Sequence, residues 1–144
     1  MRVSDVLSSK GSTEVFTIEP GASVRELLDV LAERNIGALV VSEDGATMLG
    51  IVSERDVVRK LRDVENARDA TVETIMTVDV QRCRPDDEFA ALMATMTEHR
   101  VRHVPVVDGD DRVVGVLSIG DAVKHRMDQL EFERDQLSSY VSGS

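Results

Sequence analysis

The sequence has few cysteines, aromatic residues and long apolar segments, and each shortage excludes a class of protein. Cys83 is the only cysteine, so no intrachain disulfide can form, which is typical of proteins in the reducing cytoplasm. Only 3% of the residues are aromatic, so aliphatic side chains must fill the core. No apolar run approaches the ~18 residues of a membrane span, and Met1 to Asp5 lack the apolar region of a signal peptide. The sequence therefore predicts a cytoplasmic protein with no membrane segment.

Positive charge is also scarce, with a formal net charge of −10 at pH 7. General binding to nucleic acids or to anionic membranes needs a basic surface, so we expect neither partner. The sequence contains no Gly-x-Ser-x-Gly elbow, P-loop or Gly-x-Gly-x-x-Gly fingerprint. We therefore predict that the protein is not an enzyme.

A metal site is suggested only by His99 and His103, which have an i, i+4 spacing. A strand should begin near His103, and this breaks the helical geometry that such a pair needs. We expect no metal ion, and we interpret His99 as a cation at the end of a helix.

What the chain does contain is an internal repeat. A shift of 65 residues lays the sequence on itself without a gap between Pro20 and Asp56. The matched pairs include Pro20 with Pro85, Val24 with Phe89, Leu27 with Leu92, Leu31 with Met96, Val40 with Pro105, Ser53 with Ser118 and Asp56 with Asp121. Each half is therefore predicted to be one supersecondary unit, and the two should pack by pseudo-twofold symmetry.

Hydrophobic periodicity predicts the order β-α-β-β-α in each half. Strands are predicted at residues 15–18, 38–42, 48–53, 80–83, 103–107 and 113–118, and helices at 24–32, 56–61, 89–96 and from 121 onward. The fold class is α/β in the mixed α+β sense. The predicted domains are repeat one (1–62), a polar linker (63–71), repeat two (72–127) and a C-terminal helical tail (128–144).

The tail has no counterpart in the first half. Its apolar stripe is interrupted by Arg134 and consists of Met127, Leu130, Leu137 and Val141. Such a stripe needs a surface to pack on, either the protein's own domain or a partner subunit, and both alternatives stay open. Apolar helix faces at residues 24–31 and 89–96 exceed what one small core can cover, which predicts a homodimer.

The most informative stretch is a strand that runs into a helix, and it occurs twice. Residues 115–121 (Gly-Val-Leu-Ser-Ile-Gly-Asp) and 50–56 (Gly-Ile-Val-Ser-Glu-Arg-Asp) place a serine at the strand end and an aspartate three residues later. The hydroxyl and the first-turn amides suit a phosphate, and the carboxylate can accept two hydrogen bonds from a ribose diol. The alternative is that both residues only cap the helix. Their recurrence in register favours a ligand site.

These stretches resemble a pair of CBS domains, the cystathionine-β-synthase repeat. Residues 35–41 (Asn-Ile-Gly-Ala-Leu-Val-Val) and 100–107 (Arg-Val-Arg-His-Val-Pro-Val-Val) support the resemblance, which covers nearly everything from Val3 to Met127. It implies a two-repeat module that binds adenine nucleotides in two clefts between the repeats and commonly dimerises. The tail resembles that of small stand-alone bacterial members.

The resemblance also implies which residues form each cleft, with a loop of the opposite repeat completing it. For one cleft these are Ser118, Asp121, Lys10, Thr13 and Val15, and for the other Ser53, Asp56, Thr77 and Val80. In each cleft the serine and the aspartate are implied to hold phosphate and ribose. Lys10 is either a phosphate contact or a solvated lysine.

The two clefts are predicted to differ. Gly120 leaves bare backbone for the close approach of a phosphate, whereas the matching Arg55 supplies a cation that Glu54 partly offsets. The Asp121 cleft is therefore predicted to be the better nucleotide site. The resemblance implies that His103 lies near the ligand phosphates, although a histidine is only partly charged at neutral pH.

The predicted function is that of a regulatory module that senses adenine nucleotides. AMP is the first candidate, and ADP, ATP and NAD(H) are further ones, with the two clefts able to take the two ends of a dinucleotide. The alternative is a structural dimerisation module with empty sites. The sequence identifies neither the physiological ligand nor the regulated protein partner.

Overall fold

The computed structural model describes residues 1–10 and 14–143, which form two similar halves. The first half contains α1 (Val3–Ser9), β1 (Thr17–Ile18), α2 (Val24–Arg34), β2 (Ala38–Val41), β3 (Gly50–Ser53) and α3 (Glu54–Lys60). The second half contains a short 3₁₀ helix (Ala67–Asp69), α4 (Val72–Ile75), α5 (Phe89–His99), β4 (His103–Val107), β5 (Val113–Ser118) and α6 (Ile119–Val141). The mixed helix and strand fold predicted from the sequence is confirmed. Thr13 lies outside the described residues.

The first half carries a three-stranded sheet in the order β1-β2-β3, in which β1 is parallel and β3 antiparallel to β2. In the second half β4 and β5 pair antiparallel. The strand predicted at residues 80–83 is reduced to one parallel bridge between Cys83 and Val106, so that prediction is largely wrong.

A proline explains why this strand is lost. In the first half the amide of Val40 donates to the carbonyl of Phe16. The residue 65 positions later than Val40 is Pro105, which has no N–H to donate to Gln81. The ladder therefore ends after the two hydrogen bonds that Cys83 makes with its neighbours on β4.

The core of each half is completed by a helix of the other half. Val3, Val6 and Leu7 of α1 pack with the buried residues of α5, β4 and β5. Val72 and Ile75 of α4 pack in return with those of α2, β2 and β3. The two leading helices are thus exchanged between the halves.

The exchange corrects one argument made from the sequence. The apolar residues of α2 and α5 that were expected to remain uncovered are buried in these two cores. They are Val24, Leu27, Leu31, Phe89, Leu92 and Met96. Leu28 of α2 remains 36% exposed. These helix faces therefore keep little apolar surface for self-association, and the predicted homodimer needs a further surface.

Repeated backbone geometry positions the site. Asn35 and Arg100, which are 65 residues apart, end α2 and α5 in the left-handed conformation with φ of 53° each. The chain then enters β2 and β4, which place Ala38 beside Ser53 and His103 beside Ser118. The start of each central strand therefore lies next to a serine that begins a helix.

The last repeat helix and the predicted tail form one continuous helix, α6, of 23 residues. Ala122 near its start is buried, whereas residues 130–143 are all exposed. None of the helices in the described part of the chain is long and apolar enough to cross a membrane.

Candidate functional site

Two clefts lie between the halves and meet at Gly37, Ala38 and His103, which line both. The larger cleft has a volume of about 710 Å³ and the smaller one of about 420 Å³. Larger-cleft residues include Lys10, Val15, Phe16, Ile36, Val116, Ser118, Asp121, Lys124, His125 and Asp128. Smaller-cleft residues include Ser53, Glu54, Arg55, Asp56, Arg59, Thr77, Val80, Arg100 and Arg102.

In the larger cleft the serine and the aspartate hold each other at the start of α6. The Ser118 hydroxyl accepts from the Asp121 amide at 3.1 Å, and the Ser118 amide donates to Asp121 Oδ2 at 2.8 Å. This reciprocal pair is a capping box. The capping role considered from the sequence is therefore present, and it uses only one of the two carboxylate oxygens.

Lys10 connects the opposite loop to this carboxylate. Its ammonium donates to Asp121 Oδ2 at 3.0 Å and to the carbonyl of Val116 at 2.8 Å. Asp121 Oδ1 accepts no hydrogen bond from the described residues, and the side chain is about a quarter exposed. Burial raises the pKa of Asp121, but the Ser118 amide and Lys10 outweigh it and hold that pKa below its ordinary value. The cleft thus presents an ionised carboxylate with one free oxygen.

In the smaller cleft both oxygens of the corresponding aspartate are engaged. Asp56 Oδ2 accepts from the Ser53 amide at 2.9 Å within a second capping box. Asp56 Oδ1 accepts from the Thr77 hydroxyl at 3.3 Å and pairs with Lys60 at 3.2 Å. The two aspartates are equivalent in sequence, but only Asp121 has an acceptor left for a ligand.

The smaller cleft brings four arginines together with three acids. Arg55, Arg59, Arg100 and Arg102 line it beside Glu54, Asp56 and Asp79. The guanidinium of Arg55 is held by a hydrogen bond of 2.8 Å to the carbonyl of Arg100. An arginine cluster of this kind is suited to phosphate groups.

His103 lies where the two clefts meet. Burial lowers its pKa below the ordinary value, although the negative charges of Glu54 and Asp121 act in the opposite direction. A Cβ on Gly37 would stand 2.8 Å from a Glu54 carboxylate oxygen and 3.3 Å from the His103 ring. A larger residue at position 37 would therefore make the Glu54 side chain shift.

Most of the residues predicted from the sequence line the two clefts. Lys10, Val15, Ser118, Asp121 and His103 line the larger one, and Ser53, Arg55, Asp56, Thr77, Val80 and His103 line the smaller one. Gly120 does not line either cleft, and a Cβ there would be in ordinary contact with the Ser118 hydroxyl at 3.6 Å. The prediction for Thr13 falls outside the described residues.

Sequence analysis did not assign several lining residues, including Arg59, Arg100 and Arg102 of the smaller cleft and two further groups. One group is the turn at residues 35–38, which separates the clefts and begins at the left-handed residue Asn35. The other is the cleft-facing side of α6, formed by Lys124, His125 and Asp128. No pattern in the sequence marks that second group, because it depends on how α6 packs against the first half.

Comparison with known proteins decides the family. The CBS domain model matches residues 3–63 and 72–128. The chain belongs to the CBS domain family. CBS domain pairs are regulatory, ligand-binding modules, and the geometry described above is that of such a pair.

Relatives of this CBS pair include solved structures. The CBS domain protein NE2398 is 40% identical, and the match covers 88% of this chain and 98% of that chain with a TM-score of 0.83. An uncharacterised 17.7 kDa protein of Acidianus ambivalens is 30% identical over 96% of this chain and 83% of its own length. The CBS domain pair of protein MJ0100 is 26% identical, with 90% and 98% covered and a TM-score of 0.78. The MJ0100 pair was solved in complex with 5′-methylthioadenosine and S-adenosyl-L-methionine.

Proposed function

We propose that this CBS pair is a regulatory module that binds an adenine nucleotide in the larger cleft. AMP is the preferred ligand class, and ADP, ATP and NAD(H) are further members of it. The observation that carries the proposal is the free Oδ1 of Asp121, an ionised acceptor in a cleft of about 710 Å³. The two compounds bound by MJ0100 both contain adenosine and hence a ribose diol, the group that this acceptor suits.

The remaining walls of the larger cleft suit the other parts of a nucleotide. Val15, Phe16 and Ile36 supply an apolar surface for a base. Lys10 supplies a cation for a phosphate beside the carboxylate of Asp121. Lys10 already holds Asp121 Oδ2, so the same ammonium can pair with a phosphate while Oδ1 accepts from the ribose.

The smaller cleft is proposed as a second anion site of different character. Asp56 has no oxygen left among its described contacts, whereas the four arginines offer donors for phosphate oxygens. The smaller cleft would therefore take the phosphate end of a longer ligand or a separate phosphate compound. Because Gly37, Ala38 and His103 line both clefts, a dinucleotide spanning them is compatible with this division.

A ligand in the larger cleft would contact segments of both halves, and this contact can have a regulatory effect. The larger cleft joins the turn at residues 35–38 of the first half to α6 of the second half. A ligand with different affinities for two arrangements of these segments shifts the population toward one of them. We propose that this change alters binding to a regulated protein partner, and that the module acts by binding rather than by catalysis.

The proposal also covers the oligomeric state of the module and its location in the cell. We infer a homodimer, and a cytoplasmic location in keeping with the lone Cys83, which is buried and unpaired. Nucleic acids and membranes are not proposed as partners because the chain carries a net charge of −10. Among the described residues, no group of three or more His, Cys, Asp or Glu side chains is arranged to hold a metal ion.

The proposal is tested by adding AMP, 5′-methylthioadenosine and NAD separately to the full chain and measuring the melting temperature and the binding heat. A ligand at one hundred times its dissociation constant stabilises the folded state by about 2.7 kcal/mol, which should raise the melting temperature by roughly 5–11 °C. Mass spectrometry of small molecules released from freshly purified protein provides an independent readout. If no adenosine compound produces heat or a shift and none is released, the alternative of a structural module with empty clefts is correct.

A further inference from the structure

Helix α6 carries an uncovered apolar stripe from Val123 onward, and its second half extends beyond the domain. Its members are Val123, Met127, Leu130, Leu137 and Val141, all between 47% and 80% exposed. Ala122 and His125 instead face the domain, where Ala122 is buried and the His125 ring lies against Phe89. At 3.6 residues per turn, the stripe lies roughly 120° around the helix from these two residues. The stripe therefore does not cap its own domain.

The spacing of the stripe is that of a helix that pairs with another helix. Its positions alternate by four and three residues from Val123 to Val141, with Arg134 occupying the position between Leu130 and Leu137. This is the a and d pattern of a coiled coil. The residues that flank such a seam then decide which helix fits against it.

The flanking charges change sign along the stripe. Lys124 and Arg126 flank its first part, and Glu131 and Glu133 flank the part that follows. A helix with basic and acidic flanks in this order complements a second copy of itself in the antiparallel orientation. When Met127 lies opposite Leu130 of the partner subunit, Lys124 faces the partner's Glu131 and Arg126 faces the partner's Glu133. Twofold symmetry repeats both contacts, so four ion pairs form.

We propose that α6 forms an antiparallel pair with α6 of a second copy of this chain, in the register that places Met127 opposite the partner's Leu130. The proposal rests on the homodimer inferred above. Lys124, which also lines the larger cleft, is the one residue that it shares with the proposed nucleotide site.

Arg134 supports the antiparallel orientation over the parallel one. In a parallel pair Arg134 would face Arg134 of the partner subunit at the centre of the seam, where like charges repel. In the antiparallel register it faces the partner's Val123, which is half exposed near the end of the overlap. There the aliphatic part of the arginine can cover the valine while the guanidinium stays in water. Antiparallel helices also align their dipoles favourably.

Orientation is tested by one distance. A Ser139→Cys variant carries a nitroxide spin label on an exposed position, while buried Cys83, whose thiol pKa is raised to about 12 by burial, reacts poorly with the reagent. At a rise of 1.5 Å per residue the two labels in the antiparallel dimer are separated by roughly 30 Å, whereas a parallel pair would hold them roughly 10 Å apart. A separation near 10 Å, or a native chain that sediments as a monomer at micromolar concentration, overturns the proposal.

The ion pairs are tested by two charge reversals and a matched control. Arg126→Glu and Glu133→Lys each place like charges opposite one another and should raise the dimer dissociation constant roughly tenfold. An equimolar mixture restores opposite charges at both contacts, so it should form a heterodimer as stable as the native dimer. Gln136→Lys adds a positive charge at an exposed position on the side of α6 away from the seam and should leave self-association unchanged.

Each outcome of the charge experiment has a definite consequence. If the mixture does not recover, or if Gln136→Lys weakens the dimer as much as Glu133→Lys, the seam does not have this register. If the reversals leave a stable dimer, a different surface forms it and the stripe binds another protein. None of the substituted residues lines a cleft, so AMP binding measured on the same variants separates this proposal from the proposed function.

Discussion

Replacement of Asp121 by alanine tests the carboxylate that carries the proposed function. Asp121→Ala removes the free Oδ1, so the ligand loses at least one hydrogen bond to a charged acceptor. Such a bond contributes about 1.5–3 kcal/mol, which corresponds to an affinity loss of about 10- to 150-fold. The assay is calorimetric titration of the full chain with AMP.

The stability effect of the same substitution can be separated from the effect on affinity. Asp121→Ala also removes the acceptor of the Ser118 amide, and the loss of a capping interaction costs about 0.5–2 kcal/mol. Asp56→Ala is the matched control, because it removes the same reciprocal cap at Ser53 from an aspartate whose oxygens are both engaged. We expect both variants to melt at a lower temperature, but only Asp121→Ala to lose affinity in the larger cleft.

A second ligand makes the assignment to ribose specific. The native protein should bind 2′-deoxy-AMP more weakly than AMP, and Asp121→Ala should bind both about equally. If Asp121→Ala binds AMP as the native protein does while melting at a lower temperature, Asp121 serves only as a helix cap. If both alanine variants lose AMP affinity equally, the free Oδ1 of Asp121 does not make the larger cleft the preferred site.

Three further predictions follow from single contacts. Lys10→Met should weaken AMP binding roughly tenfold, which corresponds to one charged hydrogen bond. Calorimetry should show adenosine binding unchanged. If AMP and adenosine lose affinity equally, Lys10 does not contact the phosphate. His103 has a lowered pKa when folded, so between that pKa and about 6.5 the unfolded chain binds more protons and stability falls as the pH falls. Denaturant titrations from pH 7.5 to 5 should therefore show a smaller loss for His103→Gln, and an identical loss would contradict this. Pro105→Val supplies an amide for the carbonyl of Gln81, and that amide should exchange slowly with deuterium. Fast exchange would show that the missing amide of Pro105 is not what ends the ladder.

The sequence predicted the repeat and the two serine–aspartate pairs because both depend on local order, whereas Lys10, Val15, Thr77 and Val80 were assigned to the clefts through the resemblance to the family. Ser118 and Asp121 are three residues apart, so a strand that runs into a helix brings them together whatever surrounds it. The free oxygen of Asp121 and the engaged oxygens of Asp56 were not predictable. That difference arises because Lys60 approaches Asp56 from one turn along the same helix, whereas Lys10 reaches Asp121 from a distant loop.

The parts that sequence analysis mispredicted depend on contacts between the halves. The apolar faces of α2 and α5 seemed too large for one small core because the exchange of α1 and α4 is invisible in a linear pattern. The strand at residues 80–83 was expected because the second repeat was predicted to follow the same course as the first. Its loss is caused by the missing amide of Pro105 on the neighbouring strand.

The exchange of α1 and α4 also governs how the molecule unfolds. A half cut at the linker would keep its sheet but lose the helix that closes its core, leaving buried valines and leucines open to water. Neither half is therefore a complete folding unit, and the chain should unfold in one cooperative transition. Since loosening one half releases a helix from the other, stabilisation by a ligand in either cleft is shared by the whole module.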